Sequence, residues 1–360
     1  MKVVACKRFE FSASRQLADR MRGHNFILWV GVAGPVQADT GMVINVADLK
    51  DIVTEVLDRY DHRRLNTQLD LEPTTPNIAR SLWSDLCSRL QIDSVELAEE
   101  DGDAATVTAA GTTTIVHGAF AAAHRTHAPR LSDEENLALY GICNNPAGHG
   151  HNYRAQLFLP PGQTVDQMMW AEFDHKNLSV DIPDLAGRNV VTEAIAELLA
   201  KRVPPARRVR VYETPDFFAE YHRGDADYRL GRRCRFNAAH RLHSPALSAE
   251  ENRRLYGKCN RPEPHGHSYF VEVVIKSPLD PRTEAAYDLG KLDKTAGGIL
   301  GELDYTWLDA DVPAFQERPS TGENIARYLW ERFRAALDCE VESVRLWETP
   351  NNQFRVVGGE

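Results

Sequence analysis

One phrase is written twice in this 360-residue chain, and it limits what the chain can fold into more than any other feature. Phe120-Ala-Ala-Ala-His124-Arg, Leu131-Ser-Asp-Glu-Glu-Asn-Leu, Tyr140-Gly-Ile-Cys143-Asn-Asn-Pro and His149-Gly-His151-Asn-Tyr form the first version. The second reads Phe236-Asn-Ala-Ala-His240-Arg, Leu247-Ser-Ala-Glu-Glu-Asn, Tyr256-Gly-Lys-Cys259-Asn and His265-Gly-His267-Ser-Tyr. His124 to His151 and His240 to His267 are each 27 positions apart. A spacing kept over that length means one local structure built twice.

A third, partial version opens the chain. Phe11-Ser-Ala-Ser-Arg15 stands where the others have Phe-x-Ala-Ala-His, and Gly23-His24-Asn25 matches Gly-His-Asn/Ser. Downstream landmarks recur three times: Asp61-His62, Asp174-His175 and Asp304-Tyr305, then strands closing on Glu99, Glu213 and Glu348. The expected units are residues 1–107, 108–226 and 227–360, with seams at Asp101 to Thr108 and Arg223 to Asp227, where residues are small and polar.

Each copy reads as strand, strand, helix, strand, helix, strand, an α+β unit. Leu49, Ile52, Val53, Val56, Leu57 and Tyr60 share a helical face, as do Ile78/Leu82/Leu86 and Ile325/Leu329/Phe333; core packing is the plain reading of these stripes. The middle copy is shorter. His151 to Asp174 spans 23 positions, against 37 for His24 to Asp61 and for His267 to Asp304. The missing residues amount to about 21 Å of helix, so the first helix of copy two is expected to be absent or vestigial.

Alternate strand residues face one way, so His149 and His151 present both imidazoles to one side, as do His265 and His267. His124 or His240 on a paired strand completes three neutral nitrogens, the ligand set of a catalytic zinc with one position open. Two zinc ions per chain are expected. His127 and His243 orient the sites, and His117 and His222 read as ordinary solvated side chains. Copy one has Arg15 and Arg22 at two ligand positions and is expected to be metal-free. Cys143 and Cys259 read as reactive thiols, with a small buried residue as the duller alternative.

Composition excludes some partners. A formal charge of −10 disfavours nucleic acid and anionic membrane surfaces. No apolar run reaches membrane-spanning length, no signal peptide is evident, and six scattered cysteines fit a reducing cytoplasm.

These motifs resemble the 6-pyruvoyltetrahydropterin synthase family, strongly in copies two and three and partially in copy one. The five-residue gap between Cys143 and His149, and between Cys259 and His265, is similar to the pyruvoyl-forming type; the related 6-carboxytetrahydropterin synthases of queuosine biosynthesis have a shorter gap. The resemblance implies three tandem tunnelling-fold units, each an antiparallel four-stranded sheet with two helices, forming a pseudo-trimeric barrel. It implies a cytoplasmic lyase of tetrahydrobiopterin-type pterin biosynthesis that acts on 7,8-dihydroneopterin triphosphate. Carboxytetrahydropterin formation and a non-catalytic pterin-binding scaffold are the alternatives. The implied roles are a proton-abstracting thiolate at Cys143 or Cys259 and a proton relay at Asp61-His62 and Asp174-His175. Pterin recognition falls to Glu213 and Glu348, with Thr192-Glu193 and Thr321-Gly-Glu323 beside them. A helix-end cap is the alternative for the Asp-His pairs, and a surface charge for the glutamates.

The pattern of losses suggests shared sites. With zinc and thiol from one copy and the Asp-His pair from its neighbour, zinc two is expected to meet Asp61-His62 and zinc three Asp174-His175. A homodimer of such chains then reproduces the family's six-unit assembly.

Overall fold

The computed structural model describes residues 1–100 and 102–359; Asp101, at the first expected seam, lies outside them. Copy one supplies β1 (Lys2–Leu17), β2 (Arg20–Gly34), α1 (Val46–Leu57), α2 (Thr75–Cys87), β3 (Ser94–Glu99) and β4 (Ala104–Thr108). Copy two supplies β5 (Gly111–His124), α3 (Asp133–Tyr140), β6 (His149–Leu159), α4 (Thr192–Arg202), β7 (Arg208–Thr214) and β8 (Phe217–His222). Copy three supplies β9 (Tyr228–His240), α5 (Ala249–Tyr256), β10 (His265–Ser277), α6 (Leu289–Gly301), α7 (Gly322–Ala336), β11 (Glu340–Thr349) and β12 (Asn352–Val357).

The chain folds as two compact units. One joins Met1–Thr112, Cys234–Val273 and Thr295–Glu360; the other joins Thr113–Arg233 and Val274–Lys294. In the first, β9 pairs β10 and the order continues β11, β12, β1, β2, β3, β4; in the second it is β5, β6, β7, β8, β9. The repeated motif is a long antiparallel hairpin followed by a second hairpin, with helices on one face. In copy one, Phe11, Phe26, Leu28 and Val30 pack on Leu49, Val53, Leu57, Ile78, Leu82 and Leu86, all buried. Burying each such side chain contributes about 1.5–3 kcal/mol, which fixes the helices against that sheet face.

Three expectations need correction. The strand read between the two helices shrinks to Lys176–Asn177 and Thr306–Trp307, which run parallel to β5 and β9, and to a single Ser14–Arg64 bridge in copy one. These short pairings continue the sheet where the neighbouring hairpin has already turned. The final strand is a hairpin of two, so most of the first expected linker is strand β4. The Leu-Ser-x-Glu-Glu-Asn phrase, not assigned an element above, makes α3 and α5. Their Ser132/Glu135 and Ser248/Glu251 capping boxes satisfy the orphan N–H groups of the first turn.

The first helix of copy two is reduced to one 3₁₀ segment, Gln167–Glu172, where Trp170 lies so close over Gly118 that a Cβ there would meet the ring at 2.0 Å. No helix among the described residues is long and apolar enough to cross a membrane.

Candidate active site

Strand register brings the histidines together. On the β5–β6 hairpin His124 is opposite His149 and Ala122 opposite His151, so all three rings leave the sheet on its helix-facing side. The ligand nitrogens of His124, His149 and His151 lie within 4.8 Å of one another, and so do those of His240, His265 and His267. His124 Nε2 is 3.1 Å from His149 Nε2, and His240 Nε2 is 3.1 Å from His265 Nε2. Tetrahedral zinc with ~2.0–2.1 Å bonds holds its nitrogens ~3.3 Å apart, so the cradle has the size of the ion.

The electrostatics agree. His124 Nδ1 and His240 Nδ1 lie at 2.7 and 2.9 Å from the carbonyls of Val190 and Ser320, which directs each Nε2 lone pair inward. Burial lowers the pKa of His124, His149 and His265, to about 3 for His240 and about 4 for His267, favouring the neutral form a metal requires. His151 Nε2 is buried without a hydrogen-bond partner, an unsatisfied lone pair that a metal would use. The donor set therefore fits a divalent ion of the zinc type at both triads.

Cys143 and Cys259 sit on one-turn 3₁₀ segments directly after α3 and α5. Each loop is tied back to the metal strand. Thr126 and Leu242 donate their N–H groups to the carbonyls of Cys143 and Cys259 at 3.0 and 2.9 Å. His127 and His243 approach Asn144 and Asn260, the residues after the two cysteines, at 2.9 and 3.1 Å. Buried Asn136 accepts the Ala128 N–H and donates to the carbonyls of Ala128, Leu131 and Ser132. Asn252 does the same at Ser244, Leu247 and Ser248, so the turns that lead into α3 and α5 are closed alike. Sequence reasoning passed over these four asparagines, although their recurrence in both copies was the available signal. In the metal-free protein burial, then Glu213 or Glu348, pushes both thiols above their ordinary value. A cation held by the adjacent imidazoles acts in the opposite sense.

Glu213 Oε1 stands 3.5 Å from His151 Nε2, and Glu348 Oε1 3.7 Å from His240 Nε2. Thr192 Oγ1 donates to Glu213 Oε2 at 2.5 Å. Thr321 does not play the matching part. It caps α7, accepting from Asn324 N at 3.4 Å and donating to Gly41 O at 2.6 Å. Gly322 occupies the place of Thr192, because Phe354 packs so closely that a Cβ there would meet its ring at 2.0 Å. Glu193 and Glu323 are buried, and burial lifts their carboxyls to about 7 and about 8. Glu348 is likewise lifted to about 7.

Each site is walled by the copy that follows in sequence order. At site two Ala286 N–H donates to Glu193 Oε1 at 2.9 Å; at site three Val43 N–H donates to Glu323 Oε1 at 3.0 Å and Tyr256 OH to Thr40 O at 2.6 Å. Glu284 has φ +56° where its counterpart Gly41 has φ +69°. That left-handed backbone costs a non-glycine residue about 1 kcal/mol, offset here by a 3.0 Å bond from Asn189 N to the Glu284 carboxylate. Asn189 Nδ2 also reaches Thr283 O at 2.7 Å and Tyr140 OH at 2.9 Å. The resulting cavity of site two, about 370 Å³, is lined by Cys143, Thr192, Glu193, Glu213 and wall residues 285–290. Zinc two was expected to meet copy one and zinc three copy two. The main chain against Glu193 instead comes from copy three and that against Glu323 from copy one, so the expected order of neighbours is reversed.

The Asp-His pairs are built alike. Asp61 and Asp174 accept the N–H of Ser12 and Ala121 at 2.9 and 2.8 Å, and each following histidine is held at positive φ, +54° and +57°. His62 Nδ1 and His175 Nδ1 are 2.9 and 2.8 Å from those carboxylates, and the rings are exposed. Tyr305 keeps the same backbone with φ +59°. His117 meets Gln156, but His222 pairs with buried Glu220 at 2.7 Å and is not simply solvated.

Comparison with known proteins agrees with this geometry. The family model of 6-pyruvoyl tetrahydropterin synthase matches residues 5–110, 114–224 and 229–358. The human 6-pyruvoyl tetrahydrobiopterin synthase is 43% identical over 126 residues, 34% of this chain and 87% of that protein. The enzyme of the same name from Poecilia reticulata is 44% identical over 119 residues, 32% of this chain and 81% of its own. The solved Caenorhabditis elegans 6-pyruvoyl tetrahydropterin synthase shares 38% identity and covers 37% of this chain and 96% of its own, with a TM-score of 0.36. Matched along nearly its whole length, three times over, the chain belongs to the 6-pyruvoyl tetrahydropterin synthase family as a tandem of three tunnelling-fold units.

Proposed function

We propose that the chain is a zinc-dependent pterin lyase that converts 7,8-dihydroneopterin triphosphate to 6-pyruvoyltetrahydropterin with release of triphosphate. The observation that carries this reading is the coincidence, in two copies, of a three-imidazole cradle, a carboxylate 3.5–3.7 Å from one of its nitrogens, and a cysteine loop hydrogen-bonded just past the first histidine. His124, His149 and His151, and His240, His265 and His267, hold one zinc each, and copy one, residues 1–107, holds none. Zinc, when bound, acidifies side-chain hydroxyls and stabilises negative charge developing beside them.

The protein's own groups do the rest. Glu213 and Glu348 accept the paired N–H groups of the pterin, with Thr192 fixing the first carboxylate. Glu193, lifted to about 7, shares its proton with solvent near neutral pH, Glu323, lifted to about 8, largely keeps it, and both line the same recognition edge. The thiolate of Cys143 or Cys259 takes a carbon-bound proton from the substrate side chain. The C1′ proton is removed and protons are returned at N5 and C6. The ring C6=N5 bond is thereby reduced while the C1′ carbinol becomes a ketone, an internal redox with no outside oxidant. Loss of the C2′ proton then expels triphosphate from C3′, and the enol left behind becomes the methyl ketone. The imidazole of an Asp-His pair moves the hydroxyl proton, its carboxylate setting tautomer and basicity.

Copy one supplies the pair for site three. Strand β1 joins β12 as far as Lys7, and Asp61 grips the same strand at Ser12, roughly 17 Å further along. Asp174-His175 is kept as a candidate relay of the same construction. A reducing cytoplasm and a pair of chains matching the family's six units complete this reading, and the six free cysteines support the first.

The test is product analysis with 7,8-dihydroneopterin triphosphate and zinc-loaded protein. Equal yields of triphosphate and 6-pyruvoyltetrahydropterin are expected. Tight binding without release of triphosphate would sink the catalytic reading.

A further inference from the structure

Copy one lacks a histidine triad, yet the middle of its site is filled. Arg15 faces Arg22 on the β1–β2 hairpin as His124 faces His149 on β5–β6, so Arg15 stands at the first ligand position. It is 2% exposed. Nη1 donates to Pro73 O at 3.1 Å and Thr75 Oγ1 at 3.2 Å; Nη2 donates to Glu99 Oε1 at 2.5 Å and lies 3.4 Å from His24 Nε2.

Glu99 is the counterpart of Glu213. Glu99 is the last residue of the third strand of its copy and Glu213 the last but one. Both accept from the threonine that opens the preceding helix, Thr75 of α2 and Thr192 of α4. Both stand 3.5 Å from the histidine at the third ligand position, His24 and His151. What differs is the partner offered to the carboxylate. The amino-pyrimidinone edge of a pterin is a cyclic guanidine that presents two parallel N–H donors. An arginine head carries the same kind of fork with a full positive charge added. Here one N–H group, Nη2, takes Glu99, and the other, Nη1, takes Pro73 O and Thr75 Oγ1 beside it.

We infer that Arg15 is a tethered ligand: its guanidinium occupies in copy one the place that the pterin's guanidine-like edge takes in copies two and three, and supplies part of the charge a metal would bring. The comparison with the functional sites rests on reading Glu213 and Glu348 as pterin-anchoring. Glu99 behaves accordingly. Burial alone would raise its carboxyl, but Thr75 and Arg15 outweigh that and hold it below its ordinary value.

A permanently filled site explains how copy one stays ordered without cofactor. Its residues 40–45 wall site three through Gly41, Val43 and Thr40. With Arg15 in place, that wall does not depend on whether copy one has bound anything.

The test is chemical complementation of Arg15→Ala in the zinc-loaded full chain. Removing one side of a buried pair is expected to lower the Tm by roughly 5–10 °C. Millimolar ethylguanidinium should restore at least half of that loss, ethylammonium should not, and wild type should respond to neither. If Arg15→Ala does not fold, a cycle with Arg15→Met and Glu99→Gln replaces it, the double variant being more stable than the summed single losses allow. Equal recovery with ethylammonium, or an additive cycle, overturns the proposal. Binding of 7,8-dihydroneopterin above two per wild-type chain overturns it as well. Guanidinium rescue with no pterin bound anywhere would leave Arg15's place intact and remove the pterin reading of the other two sites.

Discussion

Ala286 donates its backbone N–H to the Glu193 carboxylate at 2.9 Å from 93 positions further along the chain. Val43 makes the equivalent bond to Glu323 from 280 positions away, at 3.0 Å. The recognition edge of each site is therefore completed by main chain from the copy that follows it, with copy one following copy three.

Removing those N–H groups should act on one site at a time. Ala286→Pro is expected to raise KM about tenfold in a Cys259→Ala background, where only site two can work, and Val43→Pro to do so in a Cys143→Ala background. Steady-state kinetics on the four double variants check this. Crossed effects would show that the wall assignments are wrong.

Metal content should follow the triads. Two zinc ions per chain are expected, falling to one for His151→Ala or His267→Ala and to none for the double variant. His24→Ala should leave the count unchanged. Elemental analysis of dialysed protein gives the answer, and three ions in wild type would contradict the filled state of copy one.

Turnover should divide between the thiols. Cys143→Ala and Cys259→Ala should each retain one working site, while the double variant loses about 10²–10⁴-fold in rate. His62→Ala should slow the enzyme in the Cys143→Ala background. Unchanged turnover there would remove Asp61-His62 from site three.

Glu323 gives a pH dependence of definite sign. Its carboxyl titrates at about 8 in the folded protein against 4.5 for the ordinary group. The stabilisation from holding that proton is complete below pH ~4.5 and is lost as pH rises through about 8. Glu323→Gln keeps an acceptor for Val43 and has no proton to lose. The Tm of wild type is therefore expected to fall relative to Glu323→Gln between about pH 5 and about pH 9. Parallel Tm curves would show that Glu323 is ionised throughout.

Much of this site could be read from side chains alone. His124, His149 and His151 announced themselves because a strand period of two and a matched hairpin fix where imidazoles point. Thr321 was misplaced because Thr-Gly-Glu and Val-Thr-Glu align equally well until the packing of Phe354 on Gly322 decides between them. The walls were not legible, since Ala286 and Val43 act through backbone N–H groups that every residue except proline carries. Arg15 was legible as a lost ligand but not as a replacement. Its partner Glu99 is 84 positions away and identified by the fold.

Glu284 shows what covalent fusion makes possible. In an assembly of identical subunits, a left-handed glutamate in place of glycine would burden every interface at once, and the compensating backbone N–H would have to be free at them all. Here the Asn189 backbone N–H answers Glu284 at one junction while Gly41 stands at another. Tandem linkage lets neighbouring contacts evolve separately, so one junction can be remodelled without asking the others to follow.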